Sequence, residues 1–250
     1  RLERAMFQGA SGIVCLSQAS ADDVMGGHFG SYRKPVVVIP TCVDTDRFQM
    51  APPAASIGPE LHDRLVIAYV GSIRAAYRVK ECFQLVKNVL ELSEDAHFLC
   101  LTGQKKEANS LADELRIPRL RRTVTGVPYD QVSEWLHLTD WGLMLSDMTF
   151  VKRASMPTKL AEYFATGVRP VVYGCNDDVI DWVKRTGSGL VLDSTSPRAL
   201  RAAAAQIAEI GRRPYAGDTV GTRARDIALE HFSAARGVER YDAIYRRLVN

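Results

Sequence analysis

No stretch of the sequence approaches bilayer-spanning length, and residues 1–10 are amphipathic, without the long apolar core of a secretory signal. A soluble, cytoplasmic protein is expected. Nor is there a strong charge of one sign: 32 basic side chains face 29 acidic ones for a formal +3, and the basic residues are spread out. Nucleic acid is therefore not an expected partner. Lys and Arg near the N-terminus fit an ordinary solvated face, and leave open peripheral attachment at the inner face of a membrane. The five cysteines (Cys15, Cys42, Cys82, Cys100, Cys175) are far apart and odd in number, with no CxxC pair and no histidine set nearby. They are expected to be buried free thiols in a reducing compartment. Internal repeats, low-complexity segments, an HExxH pair, a Walker loop and a GxSxG elbow are all missing. The adjacent Asp177 and Asp178 have no third ligand at short spacing, and five scattered histidines form no dyad. No metal site is expected, and the catalytic residues are unknown at this stage.

What is present is a chain of 250 residues, 46% hydrophobic and 24% charged, enough to bury a full core under a soluble surface. Short apolar runs at 12–16, 36–39, 65–70, 97–101, 123–126, 141–145, 169–173 and 189–192 read as strands, several apolar almost throughout. Helical patterns lie between them at 19–29, 80–92, 105–116, 131–138, 158–166, 177–184 and 197–210. This alternation predicts an α/β fold with a doubly wound, Rossmann-like parallel sheet. Residues 50–59, holding three of the eleven prolines, form the best linker and put a domain boundary near residue 60. About two strands and one helix precede it, too little to close a core alone. After residue 222 two helical patterns meet near Phe232 and Ser233, with Ser233 an N-cap for 234–248. Trp135 and Trp141 are assigned to core packing.

Three constellations can carry chemistry. A strand runs into Gly71 and Ser72, with Arg74, Arg78 and Lys80 in the loop and helix start beyond. Glycine there allows a ligand close to the backbone, and helix-start amides favour phosphate oxygens; a turn glycine with solvated charges fits equally. The second runs from Ser155, Pro157, Thr158 and Lys159 through Glu162 to Gly167, with proline and glycine marking the helix ends. Its unpaired first amides and Lys159 suit a diphosphate, and Glu162 one turn later suits ribose hydroxyls; a surface Lys159–Glu162 pair is the alternative. Third, Gly126, Val127, Pro128 and Tyr129 end a strand and open a helix, so their backbone groups either meet a nucleobase edge or form a plain turn.

These motifs fall in a known order. The segment Ile39-Pro40-Thr41-Cys42-Val43-Asp44 through Phe48 resembles the IPNGVDxxxF stretch of family 4 retaining glycosyltransferases. Residues 70–73, 124–127, 140–143 and 157–167 follow in that family's sequence and spacing. The resemblance implies a GT-B fold, two Rossmann-like domains facing a cleft. It would divide the chain into the end of the N-terminal acceptor domain (1–49), a linker (50–64), the donor-binding domain (65–221) and C-terminal helices crossing back (222–250). It implies a metal-independent transfer, with no cofactor, from a UDP- or GDP-linked sugar to a glycan, lipid-linked or small-molecule acceptor. Carried over by position, Glu162 meets the donor ribose. Gly71, Ser72, Arg74, Arg78, Ser155, Pro157, Thr158 and Lys159 surround the diphosphate, with Arg78 the preferred cation of its loop, and Gly126, Val127, Pro128 and Tyr129 the base. Two departures stand out. Ala154 occupies the place of the family's first signature glutamate, with Lys152 and Arg153 before it, and residues 1–48 match only the end of the acceptor domain. The alternatives are a donor-binding module that works only beside a partner domain or chain completing the acceptor half, and a sugar-nucleotide epimerase of the same architecture.

Overall fold

The computed structural model describes residues 2–27, 32–74, 77–214 and 217–249. Its centre is a six-stranded, wholly parallel sheet in the order β5-β4-β3-β6-β7-β8. The strands are β3 (Leu65–Val70), β4 (Ala96–Leu101), β5 (Arg122–Thr125), β6 (Trp141–Leu145), β7 (Arg169–Tyr173) and β8 (Leu190–Val191). The inner strands β3, β4 and β6 are buried along nearly their whole length, which is why they read as continuous apolar runs. Helices cover both faces. On one, α3 (Val79–Leu92) and α9 (Pro197–Ile210) pack together, and Phe83 of α3 meets Phe98 of β4 edge to face at 4.7 Å. On the other lie α5 (Val132–His137), α7 (Thr158–Thr166), α8 (Asp177–Thr186) and α10 (Thr219–Ile227). Between β4 and β5, α4 (Lys105–Glu114) buries Ala108 and Ala112 beside β5. Each fully buried large apolar side chain contributes about 1.5–3 kcal/mol, so both layers are needed to hold the sheet.

Local signals set the element ends. Ser196 caps α9 by accepting from the Ala199 amide, with Pro197 at its first position, and Gly167 in the left-handed region (φ 73°) ends α7. The expected bounds of β3, β6, β7, α7 and α9 agree with those observed, and most others shift by one or two residues. Larger differences have local causes. The helix expected over 19–29 is α2 (Gln18–Met25), ending at Gly26, while residues 28–29 lie outside the described residues. Helix α10 starts at Thr219 because Asp218 caps it through the Gly221 amide. The short α6 (Phe150–Arg153), four residues long, has no periodicity to betray it.

Residues before the linker form α1 (Leu2–Gly9) and a two-stranded parallel sheet of β1 (Ile13–Cys15) and β2 (Val36–Val38), flanked by α2. A π-helical turn, Ala228–Phe232, leads into α11 (Ala234–Val249), whose start is capped by Ser233 through the Arg236 amide. This corner pairs with the first segment: the Val43 amide donates to Phe232 O (2.8 Å) and the Ala234 amide to Val43 O (3.0 Å). Cys15, Cys82 and Cys100 are buried free thiols as expected, but Cys42 and Cys175 are only half-buried. Their positions in a connecting segment and at a strand end, not inside a strand, account for the difference. Among the described residues no helix is long and apolar enough to cross a membrane.

Candidate functional site

The sheet order puts a switch point between β3 and β6: the chain leaves β3 toward β4 and leaves β6 toward β7, so the loops after the two strands part and open a crevice. Gly71 follows β3 at φ 136°, and a Cβ added there would lie 2.8 Å from Lys159 Nζ. Glycine is therefore what lets the β3 loop pass so close to the lysine. Two hollows of about 460 Å³ each flank this contact. Tyr69, Tyr77, Lys152, Ser155, Pro157, Thr158, Lys159 and Asn176 help to line the first. The second is lined mainly by Gly71, Thr102, Gly103, Gly126, Val127, Pro128 and Tyr129.

Helix α7 opens into the first hollow. Its first backbone bond runs from the Leu160 amide to Pro157 O (3.0 Å), so the Thr158 and Lys159 amides precede the ladder and have no acceptor within the helix. Lys159 Nζ lies 5.5 Å from the ring centre of Tyr69 and 5.4 Å from that of Tyr77, and Lys152 Nζ lies 4.8 Å from the Tyr77 ring. Burial pushes both ammonium groups below the usual lysine range; Cys82 and Glu162 pull Lys159 back up while the charge of Lys152 lowers it further, and Cys175 and Asp147 pull Lys152 back up. None of the described residues lining this hollow is a carboxylate. Two lysines, both partly withdrawn from water, beside a helix N-terminus are a chemistry that suits an anion.

Glu162 sits one turn further along the same helix, 5% exposed, and accepts a hydrogen bond from the Tyr129 hydroxyl on Oε1 at 3.1 Å. Burial holds its carboxyl above the usual carboxylate range, while the Tyr129 bond and the charge of Lys159 pull it back. No Lys159–Glu162 ion pair forms within 4.0 Å among the described residues, so the surface pair that the spacing also allowed is not what this helix carries. Glu162 instead reaches toward the second hollow through Tyr129.

The other expected residues divide. Gly126, Val127, Pro128 and Tyr129 share the second hollow, and a Cβ on Gly126 would come within 3.1 Å of Thr102 O. Ser155, Pro157, Thr158 and Lys159 share the first. Ser72 is half-buried, its carbonyl accepting from the Tyr69 hydroxyl at 2.7 Å, and Arg74 is exposed. Arg78, expected as the leading cation of its loop, is bound within the fold: it meets Asp147 at 2.6 Å and Glu81 at 3.0 Å, and bonds Thr195 Oγ1 at 2.9 Å. Lys152 takes a place in the cavity that Arg78 does not, while Ala154, at the position of the missing glutamate, is exposed and does not line it. Sequence reasoning also missed Tyr69 and Asn176. Their partners lie in distant strands and loops, so no local spacing could have marked them. Among the described residues no three His, Cys, Asp or Glu side chains are grouped to hold a metal ion.

Residues 56–215 match the family model of glycosyl transferases group 1. No curated protein matches the chain. Among solved structures, Anabaena Alr3699/HepE in complex with UDP and glucose superposes at a TM-score of 0.72 with 14% identity, over 96% of this chain and 64% of that one. Sucrose-phosphate synthase from Thermosynechococcus elongatus gives 0.72 with 16% identity, over 99% and 61%. A variant of S. aureus TarM, solved with Fondaparinux, alpha-GlcNAc-glycerol and UDP, gives 0.72 with 10% identity, over 97% and 45%. The chain thus spans less than two thirds of the length of each of these structures.

Proposed function

The chain belongs to the glycosyl transferases group 1 family, and from that premise we propose that it holds the activated donor, a UDP-sugar, in a glycosyl transfer reaction. One observation carries the reading: a single helix, α7, presents free amides and Lys159 to one hollow and Glu162, through Tyr129, to the adjoining one. The diphosphate would lie at the start of α7 with Lys159 and Lys152, the ribose hydroxyls against Glu162, and the base along Gly126, Val127 and Pro128. UDP is favoured because solved neighbours carry it.

Sugar transfer breaks the bond between the anomeric carbon and the β-phosphate oxygen, so negative charge grows on the departing UDP. Preorganised ammonium groups and helix amides stabilise that charge more in the transition state than in the bound donor, and they do so without a metal ion. Retention at the anomeric carbon and a glycan or lipid-linked acceptor hydroxyl follow from the family resemblance and belong to the same proposal. Calorimetry with UDP tests the donor site. Glu162→Ala is expected to weaken UDP binding about tenfold, the cost of one charge-assisted bond pair of roughly 1.5 kcal/mol. An unchanged affinity would remove Glu162 from the ribose.

A second reading rests on β1 and β2. Two strands do not make an independent sheet, which favours a donor module completed by an acceptor domain in a longer chain or a partner. Sugar transfer catalysed by these 250 residues alone would reject it.

A further inference from the structure

The segment that delivers the chain to α7 is held from outside by Ser17 on Arg153 O (3.1 Å), by Thr41 on Met156 O (2.6 Å) and, at three of its carbonyls, by Asn176. Asn176, 4% exposed at the turn between β7 and α8, donates from Nδ2 to the carbonyls of Lys152 (3.3 Å), Arg153 (3.1 Å) and Ser155 (2.6 Å). Its other end is engaged as well, since Oδ1 accepts from the Val179 amide at 3.0 Å and caps α8. Asn176 is also one of the residues that line the hollow holding Lys152 and Lys159.

Lys152 O also accepts from the Ser155 amide (3.2 Å) and hydroxyl (3.0 Å), and Arg153 O from the Ser17 hydroxyl (3.1 Å), but among the described residues Asn176 Nδ2 is the donor that all three carbonyls share, and it offsets their mutual repulsion and their repulsion of an anion beside them. In a planar trans peptide the N–H points opposite to the C=O. Fixing the carbonyls of Lys152, Arg153 and Ser155 therefore also fixes the amides of the next residue in each case. It sets the angle at which the chain enters Pro157 and the first turn of α7 as well.

We propose that Asn176 is a positioning residue for the diphosphate end of the donor: its amide neutralises the carbonyl cluster and aims the 152–157 segment, without touching the base or ribose. The inference rests on the donor reading above. It separates the two halves of one side chain, the oxygen serving α8 and the nitrogen serving the cavity.

That division supplies the test. Asn176→Asp and Asn176→Ser both keep a good helix cap, so α8 and the fold are retained. Neither can reproduce the amide donors: aspartate adds a carboxylate to the carbonyl cluster, and serine is too short to span it. Titration of wild type and both variants with UDP, and with uridine by ligand-observed NMR, reads the diphosphate and nucleoside ends apart. Expected is at least a tenfold loss of UDP affinity in Asn176→Asp, a smaller loss in Asn176→Ser, and uridine binding within twofold of wild type in both. If both variants bind UDP as wild type does, or lose UDP and uridine to the same degree, the positioning role is overturned. A wild-type protein that binds UDP no better than uridine fails the diphosphate reading itself, before either variant is considered.

Discussion

At the scale of single residues, Glu162 is where sequence and structure agree least trivially. Its place one turn after Lys159 was visible in the sequence, but that spacing also fits a surface pair. Only its burial and its bond to Tyr129, thirty-three positions away, separate the two. A buried carboxylate should cost stability, and the cost should depend on pH. Because the Glu162 carboxyl titrates above the ordinary carboxylate range in the folded protein, the folded state holds a proton that the unfolded chain has already released. Stability therefore falls as pH rises through that window, and the loss is complete above the folded-state value. Glu162→Gln removes the titration. The variant is expected to melt with wild type below the carboxylate range and above it at neutral pH, while binding UDP more weakly. Thermal melts across pH check this, and an offset constant at every pH would show that the charge is not the cause. Arg78 makes the opposite point: the resemblance assigned it to the diphosphate, but it is held by Glu81 three positions on, which the sequence shows, and by Asp147 and Thr195, 69 and 117 positions away, which no local window shows.

At the scale of elements, the legible parts were those with sharp punctuation. Helix α7 lies between Pro157 and Gly167, and the central strands are apolar on both faces, so both could be delimited from residue type alone. Helix α6 escaped because four residues carry no period, and the π-helical turn at Ala228–Phe232 escaped because its extra residue disturbs a pattern already short. The seating of α7 on β6 was equally hidden, yet it governs the site. A Cβ on Gly142 would fall 2.4 Å from the ring of Tyr163, which is fully buried on α7. The strand and helix meet with no room for a methyl group, and a packed aromatic ring backed by the sheet cannot step aside cheaply. Gly142→Ala is expected to destabilise the fold by about 1–3 kcal/mol, the usual range for overpacking, and to weaken UDP binding by tilting the start of α7. Denaturant melts and calorimetry measure the two effects. Gly9→Ala, where nothing lies within 4 Å, is the matched control and should change neither.

At the scale of the whole molecule, the first 49 residues are fastened to the part built on the six-stranded sheet by contacts that no window of sequence contains. Asp178 of α8 accepts from the Gln18 amide at 2.6 Å, Thr41 donates to Met156 O at 2.6 Å, and Asp23 pairs with Arg153 at 3.2 Å. The resemblance to a known family implied that the C-terminal helices cross back. Residue type alone gives no reason why the segment after residue 222 should meet residues 41–48. Arg225 gives one. From α10 its guanidinium donates to Thr45 O at 2.8 Å, to Ala165 O at 3.0 Å and to Phe48 O, joining the segment before the linker to the end of α7. Phe48 itself is fully buried, with Tyr129 5.8 Å away, so this junction reaches the residue that holds Glu162. Replacing the guanidinium with an apolar chain of similar length leaves those carbonyls without their donor. Each unsatisfied buried group costs about 1–3 kcal/mol. Arg225→Met should therefore lower stability by roughly 2–4 kcal/mol, allowing for partial rehydration of carbonyls near the surface. The loss should also be local before it is global. Hydrogen exchange at the Val43 and Ala234 amides, which tie residues 41–48 to the start of α11, is expected to accelerate well before that of the β4 amides in the sheet centre. Equal acceleration at both places would mean that the junction is part of a single cooperative core, and that the first 49 residues are not a separately releasable unit.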